Sequence, residues 1–209
     1  MRRTLTIAVG MVIATLLAFV VIVNGRPDTT HVERSIHVDA SPADVFVFGN
    51  DLERALEWSP WMGLDPDQEV AFSDRTTGVG AWYTWEGDDK VGKGRQEIVE
   101  SVADERVVTE LQFIEPFESE ATATLSLVPE GEGTRVTWAF DSQNGFGAKA
   151  MSMFVDMDEM LGPDFQRGLE ALKPLAEQAA EDRIDAEMEA AREAEMQAAS
   201  EEGAVEAAE

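Results

Sequence analysis

The residue best placed for acid/base chemistry is Glu86, which directly follows Trp85 in an aromatic segment. A carboxyl group held against apolar surface has a raised pKa and can then exchange a proton near neutral pH. Tyr83, Arg95 and Glu97 lie nearby in the sequence and could complete such a site. The alternative is that Glu86 is a surface charge on the polar face of a strand, and the sequence leaves both interpretations open.

Arrangements that bind metals or activate nucleophiles are incomplete. His31 and His37 are the two histidines, and six residues of strand spacing point them to one face without further ligands at matching spacing. The segment from Asp156 resembles a calcium loop, but Met160 and Leu161 stand where an oxygen ligand and a glycine are needed. The chain has no cysteine. The sequence therefore predicts neither a metal site nor a cofactor.

The charge balance is strongly acidic, with 42 acidic against 16 basic residues and a net charge of -26. A nucleic-acid binder needs a basic face against phosphate, so no nucleic-acid partner is expected. An acidic surface of this kind is typical of high solubility or of adaptation to salt.

Residues 4–23 carry no charge, and as a helix they would span about 30 Å, the thickness of a bilayer core. A signal peptide has a shorter apolar region of about 7–15 residues and a small-residue cleavage site. We therefore predict a transmembrane anchor over residues 1–24, with membrane contact through residues 4–23, and a linker over residues 25–30. Arg2 and Arg3 precede this stretch, and basic flanking residues favour the cytoplasmic side. We therefore predict a single-pass protein whose domain lies on the non-cytoplasmic side.

Alternating apolar and polar residues predict strands of an antiparallel sheet with one buried face. Two short helices follow the first strand, the first opened by the N-cap Ser41 and Pro42, the second over residues 52–58. The predicted strands cover residues 31–39, 69–72, 80–86, 94–102, 106–114, 119–128 and 134–141.

Apolar residues three or four positions apart predict one long helix over residues 147–175 that closes over the sheet. Gly162 and Pro163 predict a kink within it. The stripe consists of Ala150, Phe154, Met157, Leu161, Phe165, Leu169, Leu172 and Leu175.

Residues 177–209 form a tail dominated by Ala and Glu. Its helix propensity is high but it lacks a sustained apolar seam, so we expect a solvated helix or a disordered segment. The alternative is a tail that binds a protein partner.

Short motifs occur in order along residues 31–176. They are WSPW at 58–61, GVGA at 78–81, WEG at 85–87, VGKG at 91–94, PF at 116–117 and GTRVTW at 133–138. Their order and spacing resemble the SRPBCC or START-like superfamily, and most closely its polyketide cyclase/dehydrase and lipid-transport-like branch. The resemblance implies an α+β helix-grip fold over residues 31–176. This fold is a curved antiparallel sheet of about seven strands with two short helices and one long C-terminal helix, here preceded by the predicted transmembrane helix.

A helix laid over a curved sheet leaves a space that side chains or a ligand must fill, and apolar pockets of about 300–1,000 Å³ are usual for small molecules. Ordinary core packing is the alternative for each residue. The predicted ligand-binding residues are Trp58, Trp61, Tyr83, Trp85, Phe113, Phe117, Trp138, Phe140, Phe154, Met157 and Leu161.

Three functions are compatible with these features. The first is a membrane-tethered carrier or sensor that binds a hydrophobic small molecule, such as a lipid or a polyketide- or isoprenoid-like compound. The second is a cyclase/dehydratase-type enzyme that uses the same cavity and one buried acid. The third is an envelope interaction protein whose acidic tail binds a protein partner.

Overall fold

The structure, a computed structural model, describes residues 2–206, with side chains described for residues 10–198. Within this part of the chain, a long N-terminal helix precedes an α+β domain. The helices are α1 (Arg2–Asn24), α2 (Pro42–Asn50), α3 (Leu52–Trp58), α4 (Phe146–Met151) and α5 (Met157–Glu206). The strands are β1 (Thr29–Val38), β2 (Glu69–Phe72), β3 (Trp82–Glu86), β4 (Lys93–Val102), β5 (Arg106–Glu115), β6 (Ser119–Glu130) and β7 (Gly133–Gln143).

The seven strands form one sheet in the order β1-β7-β6-β5-β4-β3-β2, and every neighbouring pair is antiparallel. The register places Val32 opposite Phe140 and Gly94 opposite Phe113, so these four positions share the inner face. Irregular pairing in β4, near Gly94 and between Ile98 and Glu100, supplies the bulges that bend a sheet.

The short helices α2 and α3 cover the inner face at one end of the sheet. Ser41 accepts a hydrogen bond from the backbone N–H of Asp44, which starts α2 as predicted. The indole N–H of Trp58 donates to the carbonyl of Phe48 at 3.0 Å and so ties α3 to α2. Leu52, the first residue of α3, is fully buried.

Helix α5 packs its apolar face against the sheet near β1 and β7. Phe165, Leu169 and Leu172 are buried, together with Val38 and Val136 from the strands beneath. Burial of each such side chain contributes about 1.5–3 kcal/mol. A seven-stranded antiparallel sheet closed by this long C-terminal helix fits the helix-grip fold.

The long helix begins later than the sequence pattern predicts. A break over residues 152–156 separates α4 from α5, because the Asp156 carboxylate accepts from the N–H groups of Asp158 and Glu159 and starts a new helix. The predicted interruption at Pro163 does not end α5. Pro163 removes only the bond to the carbonyl of Glu159, an exposed residue in the first turns.

The predicted N-terminal transmembrane helix is wrong. None of the helices in the described part of the chain offers an apolar stretch long enough to cross a lipid bilayer. The side chains of residues 4–9, and those of Arg2 and Arg3, lie outside the described residues. The predicted single-pass location with a non-cytoplasmic domain is wrong for the same reason.

Beyond the domain, the tail continues α5 as a helix to Glu206, and residues 207–209 lie outside the described part. Residues 181–198 are all exposed. One ion pair holds the start of this segment: Arg183 Nε lies 2.8 Å from the carboxylate of Asp44, which is 7% exposed at the start of α2.

Candidate functional site

Beneath α5, four of the predicted ligand-binding residues form a packed aromatic cluster around Trp138, and they are Trp58, Trp61, Trp138 and Phe140. The Trp138 ring stacks on Phe165 with 4.1 Å between centroids and an interplanar angle of 13°. Trp58 and Trp61 meet Trp138 edge to face at 4.8 Å and 5.7 Å, and Phe140 meets Phe165 at 6.4 Å. These aromatic side chains therefore fill the space between α5 and the β7 side of the sheet themselves.

A second aromatic row runs across the inner face of β2, β3 and β5. Tyr83 lies between Phe72 and Trp85, with ring centroids 5.9 Å and 5.8 Å away, and Trp85 meets Phe113 at 5.8 Å. Gly94 makes room for this row, because a Cβ at that position would overlap the Trp85 ring and the carbonyl of Gln112. The glycine that bends β4 thus also seats an inner-face tryptophan.

Where the two aromatic groups meet, several apolar side chains of the inner face are only partly covered. They pack against the core yet keep accessible surface, and they come from the loop after α3, from β5 and from the start of α5. These residues are Trp61, Leu111, Phe113, Met157 and Leu161.

Tyr83 shows the same property most clearly. Burial raises the pKa of the Tyr83 hydroxyl far above its usual range, because the ionised form would be poorly solvated there. Part of its surface is nevertheless accessible. Tyr83 is thus partly covered, like the apolar residues of the inner face.

Two surface recesses lie outside this inner face. One of about 470 Å³ lies between the start of β1 and the α4–α5 connection, with His31, Asn144 and Phe154 in its wall. Met157 lines this recess and also packs on the inner cluster, so it separates the recess from the sheet–helix interior. The other, of about 360 Å³, follows the exposed tail of α5 near Met188.

Two of the predicted binding residues are not part of the inner wall. Phe117 is 71% exposed in the β5–β6 connection, and Phe154 is 83% exposed between α4 and α5. Antiparallel pairing places both connections at the same end of the sheet as the start of β1. These phenylalanines lie at the rim of the domain.

Glu86 lies on the outer side of β3, because it follows the inward-facing Trp85 by one residue. Its carboxylate is exposed and lies 2.6 Å from Lys93 Nζ, and this contact raises the pKa of Lys93. The structure does not bring Glu86 together with Tyr83 or with the apolar inner wall, and this position does not favour acid/base chemistry in a cavity.

The histidines pair with neighbouring carboxylates. His31 Nδ1 lies 2.8 Å from Asp141, whose hydrogen bond raises the pKa of His31. His37 lies 3.1 Å from both Asp39 and Glu130. Among the side chains that the structure describes, no group of three or more His, Cys, Asp or Glu is arranged to hold a metal ion.

Sequence reasoning missed the polar residues of the inner face, Gln96 and Thr109. The Tyr83 hydroxyl donates to Gln96 Oε1 at 3.0 Å, and Gln96 Nε2 donates to Thr109 Oγ1 at 3.1 Å. The signal was available in the alternation of β4, where Gln96 falls between inward-facing Gly94 and Ile98. A polar residue at an inward strand position requires a hydrogen-bond partner.

Comparisons with known proteins agree with this architecture. Residues 29–177 match a family model described as polyketide cyclase/dehydrase and lipid transport. No curated protein matches the chain. Three similar solved structures show the fold alone, since their sequence identities are low.

A protein from Rhizobium leguminosarum has 17% identity and a TM-score of 0.52, over 72% of this chain and 95% of its own. One from Chromobacterium violaceum has 17% identity and a TM-score of 0.51, over 72% and 98%. A protein from Mycobacterium smegmatis has 16% identity and a TM-score of 0.50, over 72% and 96%.

Proposed function

Because the chain belongs to the polyketide cyclase/dehydrase and lipid transport family, we propose that its domain binds a hydrophobic small molecule on the inner face of β3–β5, as a carrier or sensor. The resemblance to the SRPBCC or START-like superfamily is confirmed by the same match. A family of this name supports a domain for hydrophobic ligands, whereas the position of the ligand and the role of binding are our proposals.

The observation that carries the proposal is the incomplete cover of the inner face. Phe113 and Leu111 on β5 and Leu161 on α5 keep accessible surface although they pack on the core. Side chains deep in a fold normally reach close packing. Apolar surface left open here would gain about 25 cal/mol for each Å² that a ligand covers.

A binding role is favoured over catalysis by the chemistry of the inner face. At the inward positions of the described strands β3–β7, the side chains are apolar or uncharged, and Glu86 lies outside. Arg34 of β1 is charged, but its guanidinium is held by Asp158 at 2.8 Å and 2.9 Å. This face can enclose an apolar molecule, and it offers no free carboxylate to exchange protons with it.

The test is to purify the full chain, extract it with organic solvent, and identify co-purifying apolar molecules by mass spectrometry. In parallel, the neutral dye Nile red is titrated into the protein. We expect saturable binding with enhanced fluorescence. The Phe113→Asp variant should bind Nile red at least about tenfold more weakly, because a charge would be buried in the site.

Phe117→Asp is the matched control, since Phe117 lies at the exposed rim and its substitution should leave binding unchanged. Circular dichroism checks that both variants fold, and Leu161→Gln provides a second inner-face variant. Equal Nile red affinity in all four proteins, with nothing co-purifying, would refute the proposal. The partner-binding role of the tail stays a separate prediction.

A further inference from the structure

A chain of three polar side chains crosses the otherwise apolar inner face of β3, β4 and β5. Tyr83, Gln96 and Thr109 lie on neighbouring strands, and the register puts Tyr83 directly opposite Gln96. Apolar residues surround them: Phe72 and Trp85 flank Tyr83. We call these three residues the polar relay. Polar groups in such a place lower the gain from binding a pure hydrocarbon, so their presence needs a reason.

The hydrogen bonds of the polar relay all run in the same direction, from Tyr83 through Gln96 to Thr109. Thr109 Oγ1 lies 3.4 Å from the carbonyl of Ala123 and donates to it, since a carbonyl can only accept. Thr109 Oγ1 therefore accepts from Gln96 Nε2, which turns Gln96 Oε1 toward Tyr83. That oxygen can only accept a hydrogen bond, and the Tyr83 hydroxyl donates it.

This direction determines which hydrogen-bond donors and acceptors of the polar relay remain for a ligand. The Tyr83 hydroxyl uses its hydrogen in the bond to Gln96, so its oxygen can only accept a hydrogen bond from a ligand. Gln96 Nε2 has a second hydrogen, which is a free donor. Tyr83 and Gln96 keep accessible surface, whereas Thr109 is 5% exposed and lies behind them. The accessible end is thus an acceptor on Tyr83 beside a donor on Gln96.

We propose that the polar relay recognises a hydroxyl group on the hydrophobic ligand, with the ligand O–H donating to Tyr83 Oη and its oxygen accepting from Gln96 Nε2. The inference rests on the proposed function and specifies the ligand class as an apolar alcohol or phenol. Thr109 acts as a positioning residue, because it orients the Gln96 amide without reaching the ligand.

A ketone of the same shape fits less well. It can accept from Gln96 Nε2 but cannot donate to Tyr83 Oη, so it makes one hydrogen bond where an alcohol makes two. An unsatisfied buried acceptor is unfavourable, and a typical net hydrogen bond corresponds to about fivefold in affinity. The polar relay should therefore discriminate an alcohol from its ketone.

The test uses the full chain and three rigid probes of similar shape: 9-fluorenol, 9-fluorenone and fluorene. Their affinities are measured by displacement of Nile red. We expect the wild type to bind 9-fluorenol at least about fivefold more tightly than 9-fluorenone. In Tyr83→Phe the preference should fall below about twofold, because the acceptor oxygen is gone.

Thr109→Val tests the orientation of the Gln96 amide without changing the shape of the site, since valine has nearly the same volume as threonine. Without the Thr109 hydroxyl, the Gln96 amide can rotate and donate to Tyr83, whose hydrogen is then free for the ligand. We expect 9-fluorenone to bind at least as tightly as 9-fluorenol. Thr84→Val is the matched control, because Thr84 points to the outer side of β3 and should keep the wild-type preference.

The outcomes separate the two ideas. Binding of all three probes with equal affinity in the wild type, or an unchanged alcohol preference in Thr109→Val, overturns the polar relay and leaves the proposed function standing. Failure of Nile red and of every probe to bind overturns the proposed function and the polar relay together.

Discussion

At the residue scale, the close packing of α5 against the sheet depends on Gly168. A Cβ at this position would lie 2.8 Å from the Trp138 ring and 3.2 Å from Pro60, neither of which can move aside easily. Helix propensity alone would favour alanine over glycine by about 1 kcal/mol. Overpacking against rigid groups opposes this by about 1–3 kcal/mol, so the steric effect should win.

We therefore expect Gly168→Ala to lower the free energy of unfolding by about 1 kcal/mol, measured by urea denaturation. Gly147 in α4 is the matched control, since a Cβ there meets nothing within 4 Å. Gly147→Ala should be neutral or stabilising by up to about 1 kcal/mol. A Gly168→Ala protein as stable as the wild type would show that the aromatic cluster is looser than described.

The same scale shows which parts of the site a sequence can predict. Trp58, Trp138 and Phe140 could be assigned to the inner face because alternation and helix spacing identify it. Whether an aromatic residue lines a cavity or fills it depends on side-chain packing across elements, which no local pattern contains. Phe154 illustrates a different limit: it continues the helical spacing, but the Asp156 cap starts α5 after it and leaves it exposed.

At the element scale, the tail of α5 is fastened to the domain through Asp44 and Arg183. The guanidinium of Arg183 hydrogen-bonds to Asp44 and lowers the pKa of that carboxyl. A group with a lowered folded-state pKa stabilises the fold above its unfolded pKa of about 3.9, and this contribution is lost as the pH falls through the folded-state pKa.

We expect Asp44→Asn to have a lower Tm than the wild type from pH 5 to pH 7, by a constant amount. Below about pH 4 the difference should shrink, since the wild-type carboxyl also becomes protonated. Arg183→Gln should reproduce this profile. Arg192→Gln serves as control, because Arg192 has no ion pair among the described residues. A difference that persists unchanged at pH 3 would contradict the assignment.

At the scale of the whole molecule, the net charge of -26 opposes compaction through self-repulsion. Salt shortens the range of this repulsion, from about 10 Å at 0.1 M to about 3 Å at 1 M. We expect the Tm to rise between 0.05 M and 1 M NaCl. A variant with Glu181, Glu189, Glu193 and Glu195 changed to Gln should show a smaller rise, and an equal rise would point to a cause other than charge.

Global organisation was the most predictable level, and it also contained the largest error. Strand alternation, the Ser41 cap and the helical stripe led to the sheet and the closing helix, because each pattern reflects one buried face. The transmembrane prediction relied on an uncharged stretch of bilayer length that lacks a signal-peptide cleavage site. In the structure, α1 ends in contact with the domain, with Val23 fully buried and Phe19 6.5 Å from Phe146.

The length of α5 has a consequence for how the molecule moves in solution. Residues 181–206 of α5 continue past the packed part of the helix by roughly 39 Å, whereas a domain of this size has a radius of gyration of about 15 Å. The protein is therefore a globule that carries a negatively charged rod. It diffuses and tumbles anisotropically, and like charges along the rod keep neighbouring copies apart on that side.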